Sequence, residues 1–95
     1  MIIQHKQTEK RGTFFVPGED DDFLAELIYN KQQAGDMIIE HTRVDGALRG
    51  QSVGYQLVHS AVEYARSEGL KIIALCTFAR AVIDRKPEFQ DVLKA

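Results

Sequence analysis

The long helical stripe of residues 51–68 constrains the fold more than any other feature of this chain. Val53, Leu57, Ala61, Tyr64 and Ala65 recur at three- and four-residue steps, so one face is apolar and needs a partner. Gly69 follows, where a helix calls for a left-handed residue just past its end. The flanking segments name the partner. "MIIEHTRV" before the helix is strand-like, and "LKIIALC" after it is apolar throughout, as suits a strand buried on both faces and paired in parallel. Strand, helix and strand within about thirty residues make a βαβ unit, whose crossover is normally right-handed.

The remainder reads as an antiparallel meander. Residues 2–5 and 13–16 are β-prone runs separated by the charged turn "KQTEKRG". Pro17-Gly18, followed by Glu19, Asp20, Asp21 and Asp22, is a solvent-facing turn. "FLAELIY" places Phe23, Ala25, Leu27 and Tyr29 on one face if extended, and a helical reading competes. Strand is preferred because "NKQQAGD" then forms a hairpin loop into "MIIEHTRV". After "LKIIALC", Thr77 is placed to cap a short helix running to Asp84, and Pro87 opens a last helical turn with Phe89, Val92 and Leu93. With no repeat, low-complexity tract or linker, residues 1–95 are expected to form one domain of class α+β: an antiparallel meander joined to one βαβ crossover.

Charge and cysteine usage exclude several functions. A net charge of −2 and a pI near 5.9 lack the basic stripe of a nucleic-acid binder. No apolar run approaches the ~18 residues that span a bilayer, and "MIIQ" is no signal peptide. The single cysteine, Cys76, leaves no internal disulfide and fits a reducing cytoplasm. Three scattered histidines and one cysteine give no zinc-ligand spacing, so no metal is expected.

The chemistry gathers at "LRGQSVG". A helix beginning near Gln51 or Ser52 points several unpaired backbone N–H groups at one spot, and its macrodipole adds about half a positive charge there. That is a phosphate seat needing no lysine. Gly50 lets the chain turn, and Gly54 removes a side chain one turn into the helix. A P-loop is ruled out, because no lysine occurs between Lys31 and Lys71. The three-glycine dinucleotide fingerprint is absent as well. Arg49-x-x-Ser52-x-Gly54 is instead close to the R/Q-x-x-G-x-G/A pyrophosphate loop of the GNAT acyltransferases.

The resemblance extends over residues 40–89. "EHTRVDGALRGQSVGYQLVHSAVEYARSEGLKIIALCTFARAVIDRKPEF" is similar to the small stand-alone GNAT branch of minimal acetyltransferases, which reads H-T-x-V-P, R-G-x-G-x-(G/A), a long helix, L-C-P-F and R-x-P-E-(F/Y) in that order. Ser52 stands where the loop usually has glycine, and Asp45, Ala74 and Thr77 replace prolines.

The resemblance implies a minimal GNAT-like fold with acetyl-CoA in a V-shaped opening between two splayed parallel strands, one ending at Val44 and the other at Cys76. The backbone of residues 41–44, Thr42 and Val44 included, would pair with the pantetheine arm. Arg49, Gly50, Gln51, Ser52, Val53 and Gly54 would hold the pyrophosphate. The family's proposed catalytic cysteine falls on Cys76. By its position alone, Cys76 is either a thiol activated at a helix N-terminus or a small buried hydrophobe. His41, expected to face the same opening, is either a base for an amine or for the cysteine, or a structural hydrogen-bonding group. Glu40 should point to the opposite face from His41. His59 reads as exposed, and His5 has no assigned role. Arg49 is a phosphate ligand or solvated, Arg80 and Arg85 reach the nucleotide or the solvent, and Phe78 reads as core more than as a ligand platform.

The functional expectation is an acetyl-CoA-dependent N-acetyltransferase acting on an amine of a protein or small molecule. Cys76 would serve as acid or as acetyl carrier. The alternative is a non-catalytic CoA-binding module that works with a partner protein. The acceptor and the oligomeric state stay open.

Overall fold

The computed structural model describes residues 2–20, 22–32 and 34–94. Asp21 in the acidic turn and Gln33 in the hairpin loop lie outside the described residues. Four antiparallel strands come first: β1 (Gln4–Gln7), β2 (Arg11–Pro17), β3 (Phe23–Lys31) and β4 (Asp36–Val44). A 3₁₀ turn (Gly46–Leu48) leads to α1 (Val53–Glu68), then β5 (Lys71–Ala74), α2 (Thr77–Arg85) and a second 3₁₀ segment (Pro87–Val92). The sheet runs β1-β2-β3-β4-β5, antiparallel except for the β4–β5 pair that α1 connects. The α+β fold expected from the pattern is the one observed.

Strand alternation builds the core. Gly12, Phe14 and Val16 of β2 and Ala25, Leu27 and Tyr29 of β3 are buried on the helix side, while their neighbours are more exposed. α1 lays Leu57, Ala61 and Ala65 in one row at four-residue spacing and Val58 and Val62 in a second, all with no exposed surface. Each larger aliphatic side chain buried this way contributes about 1.5–3 kcal/mol. Gly69 ends the helix with φ 69°, its N–H bonded to the last-turn carbonyls, as expected at that position.

Two local expectations are corrected, and one residue without an assigned role gains one. β5 is a four-residue edge strand, not a strand buried on both faces: Ile72 is buried, Ile73 is half-buried and Leu75 beyond it is 67% exposed. Among the described residues, Leu93 bridges Ile72 on its outer side. Thr77 is the first helical residue of α2, and Cys76 holds the N-cap position. His5 is exposed on β1 but lies against the aromatic edge of the core, its Nε2 2.6 Å from the Tyr29 hydroxyl and its ring stacked on Phe14 at 4.0 Å. Burial, then the charge of Lys31, lowers the His5 pKa, which favours the neutral imidazole against Tyr29.

A bulge in β4 sets the geometry of everything that follows. Ile28 pairs with His41 and Tyr29 with Ile39, which leaves Glu40 as an extra residue. Past the bulge the alternation is reversed. Thr42 and Val44, opposite Leu27 and Ala25, now face the helices, and His41 and Arg43 face the open side. The ion pairs Arg43–Glu26 (2.9 Å) and Arg11–Glu40 (3.1 Å) lie on that open side. Glu40 and His41 therefore share a face, contrary to simple alternation.

The same point marks where β4 and β5 part. Their pairing stops at Ile39–Ala74, and the N–H groups of Leu75 and Cys76 both close on the Ile39 carbonyl (3.0 and 3.2 Å). β4 continues to Val44 paired with β3 alone, so its other edge is open.

Candidate functional site

The loop after β4 is shaped by a sequence of small local bonds. Asp45 caps the 3₁₀ turn by accepting from the Ala47 N–H at 2.8 Å. Gly50 takes φ 85° and Ser52 φ 56°, and the Ser52 carbonyl accepts the first helical bond, from Gln56, at 3.0 Å. Among the described residues, no acceptor bonds the N–H groups of Val53, Gly54 or Tyr55. Three bare donors at the positive end of a sixteen-residue helix are suited to an anion.

Ser52 occupies the N-cap position without capping. Its side chain makes no cap hydrogen bond, and its backbone is left-handed rather than extended. A non-glycine residue there costs about 1–2 kcal/mol, partly offset because glycine has more unfolded-state freedom to lose. Ser52→Gly is therefore expected to raise stability by up to ~1 kcal/mol in urea unfolding, and Ser52→Ala to leave it unchanged. A less stable glycine variant would show that the hydroxyl caps the helix after all.

Gly54 proves to be a packing site. A Cβ placed on it would lie 2.6 Å from Phe78 Cζ and 2.8 Å from Phe78 Cε2. The space left by the missing side chain is occupied by the Phe78 ring, which joins α1 to α2. Phe78, expected in the core, is 45% exposed and forms a wall of the groove over the loop. This groove encloses about 390 Å³. Val44, Leu48 and Val82 add apolar wall, and Arg49, Arg85 and Lys86 stand around it. Of the arginines named on α2, Arg80 pairs with Asp84 (3.1 Å) and only Arg85 lines the groove. Lys86 and Tyr55 line it too, and sequence reasoning missed both. The Lys86 ammonium stands 5.1 Å from the centroid of the Tyr55 ring.

Cys76 lies where β5 ends and α2 begins. It is half-buried, and its thiol meets the Thr42 hydroxyl across the splay at 3.4 Å. Burial pushes the thiol pKa up, but the favourable field of the Thr42 hydroxyl and of the nearby backbone N–H groups of Ala79, Phe78 and Thr42 on the thiolate outweighs it. The net result is a pKa below the ordinary cysteine value. His41 is not part of this group. The bulge carries it to the other face, exposed and opposite Ile28. His59 is exposed as expected, near Glu63 (3.5 Å) and stacked with Phe89. A larger recess, about 810 Å³, lies at the acidic turn beside Glu19, Asp20, Asp22 and Asp45, and holds neither the thiol nor the bare N–H groups. Among the described residues, no group of three acidic, histidine or cysteine side chains is placed to hold a metal ion.

The domain is thus α+β, with a parallel strand pair that splays open beside a helix N-terminus, the kind of place where open α/β sheets bind ligands. The chain belongs to the GCN5-related N-acetyl-transferase family, whose sequence profile matches residues 13–92. It is an acetyltransferase of that family. The solution structure of a GCN5-like candidate N-acetyltransferase from Staphylococcus aureus is similar at 36% identity and a TM-score of 0.76, covering 97% of this chain and 88% of that one. The fold is shared with the ribosomal-protein-S18-alanine N-acetyltransferase of Escherichia coli at 15% identity (TM-score 0.65; 83% of this chain, 53% of that one). It is shared too with a candidate streptothricin acetyltransferase from Bacillus anthracis in complex with acetyl coenzyme A, at 18% identity (TM-score 0.57; 70% and 39%). This chain thus matches about half or less of the length of these last two proteins. No curated protein matches the sequence.

Proposed function

We propose that the protein transfers the acetyl group of acetyl-CoA to an amine. One observation carries this reading: the open edge of β4 runs between an anion seat and a hydrogen-bonded thiol. The donors fit the cosubstrate. The bare N–H groups of Val53, Gly54 and Tyr55, with Arg49 beside them, suit a pyrophosphate and would repel a cation. The free backbone of Thr42 and Val44 suits an amide-bearing arm that adds to the sheet as a strand would. When bound, acetyl-CoA supplies an acyl thioester open to attack by a neutral amine.

The chain's own residues then have separable tasks. Edge N–H groups of β4 polarise the acyl carbonyl. Cys76 gives a proton to the departing thiolate, or receives the acetyl group and passes it on. His41, exposed on the open face, takes the proton of an amine that arrives from that side. A working thiol suits a reducing compartment, and we place the protein in the cytoplasm. No helix of the described residues is long and apolar enough to cross a membrane.

Adding CoA to isotopically labelled protein should shift the backbone amides of Thr42, Val44, Val53 and Gly54 most. Labelled acetyl-CoA should yield labelled product in a panel of amines and basic peptides. Binding without turnover on any acceptor would leave only a CoA-binding module, and shifts centred elsewhere would sink the reading.

A further inference from the structure

Among the described residues, the groove gathers three cations that have no carboxylate partner, whereas the other arginines are paired and the remaining unpaired lysines, Lys6, Lys10, Lys31 and Lys71, lie outside it. Arg11, Arg43, Arg66, Arg80 and Lys94 are each ion-paired with a carboxylate. Arg49, Arg85 and Lys86 make no ion pair among the described residues, and no acidic side chain lines the groove they share. Three unopposed cations in one groove of a chain with net charge −2 are not a solvated average of its surface.

They form two seats. Arg49 belongs to the loop that presents the bare N–H groups of α1. Arg85 and Lys86 come from the far end of α2, two turns beyond the Phe78 ring that rests on Gly54. Lys86 does not extend into open solvent, because its ammonium is held 5.1 Å from the Tyr55 ring, on the first turn of α1. The second seat is thus a short step from the first. The carboxyl end of α2 carries the negative pole of its macrodipole, so an anion bound there must be held by side-chain charge alone. An arginine and a lysine supply that charge, with the guanidinium offering a fork to phosphate oxygens.

A ligand that fills both seats needs a second phosphate beside its pyrophosphate. Resting on the function proposed above, we infer that Arg85 and Lys86 receive the 3′-phosphate of CoA and make the protein selective for CoA over 3′-dephospho-CoA. The bound molecule then lies with its adenosine toward the end of α2 and its thioester toward Cys76, at the start of the same helix.

Titration calorimetry with CoA and with 3′-dephospho-CoA tests this. The unaltered protein is expected to bind CoA at least ~10-fold more tightly, the value of one good charge-assisted contact, with the ratio shrinking as salt is added. Arg85→Gln combined with Lys86→Gln should bring the ratio to about one, while Arg80→Gln, on the same helix but paired with Asp84, should leave it intact. Equal affinity for the two ligands in the unaltered protein would overturn the inference and leave the proposed function standing. A preference that survives the double substitution would also overturn it, by moving the phosphate elsewhere. Failure to bind either ligand would instead remove the function on which it rests.

Discussion

Cys76→Ala is expected to slow acetyl transfer at least ~10²-fold, the lower range for a group that moves a proton or carries an acyl group, with CoA affinity unchanged. The thiol is half-buried at the closed end of the splay, where it donates to the Thr42 hydroxyl and sits at the N-terminus of α2. Its pKa lies below the ordinary cysteine value, so alkylation by iodoacetamide should titrate below that of a free cysteine. Thr42→Val keeps the shape, removes a donor to the thiolate and should move that titration upward. His41→Ala separates the two faces. If the amine enters from the open side, this variant slows transfer and leaves the Cys76 titration where it was. Intact-mass measurement distinguishes the routes, because an acetyl adduct that persists in Cys76→Ala cannot be on that sulfur. Full activity in both Cys76→Ala and His41→Ala would mean that positioning alone carries the rate.

Gly12→Ala should be among the most destabilising additions of a single methyl group. Gly12 pairs with Tyr29 across β2 and β3, and the Tyr29 side chain folds back over it. A Cβ there would overlap the hydroxyl and ring carbons of Tyr29, which has no exposed surface to retreat into. Moving that ring breaks the hydroxyl's bond to His5 and disturbs Phe14 and Tyr64, which pack around it. Overpacking of this kind costs about 1–3 kcal/mol, and leaving a buried hydroxyl unsatisfied adds about 1–3 kcal/mol. Against a total stability of about 5–15 kcal/mol, the loss should appear as a large drop in the urea midpoint. Tyr29→Leu, destabilising alone, should absorb most of the Gly12→Ala effect in a double-mutant cycle. Additive losses would mean that the ring is not what the methyl group meets.

Local signals were sufficient for much of this molecule. The stripe from Val53 to Ala65, the glycine after it and the β-prone runs on either side depend on residues a few places apart, and they give the meander, the crossover helix and the loop that begins it. The loop's spelling and the cysteine at the end of an apolar run were likewise legible, because anion seats and helix starts are local constructions. Gly12, His5, Tyr55 and Lys86 carried no such signal. Each acquires its role from a partner that is distant in sequence or belongs to another element.

The bulge at Glu40 shows where the division falls. Sequence alone determined that β4 is a strand, that α1 follows a glycine loop and that β5 returns in parallel. Only the tertiary structure decided which side chains of β4 meet Cys76. A strand's faces are set by its register, and one extra residue reverses every side chain after it. That reversal puts Thr42 on the thiol and His41 on the opposite face. It comes where pairing with β5 ends and the edge of β4 opens, a balance among three strands that no window of neighbouring residues contains.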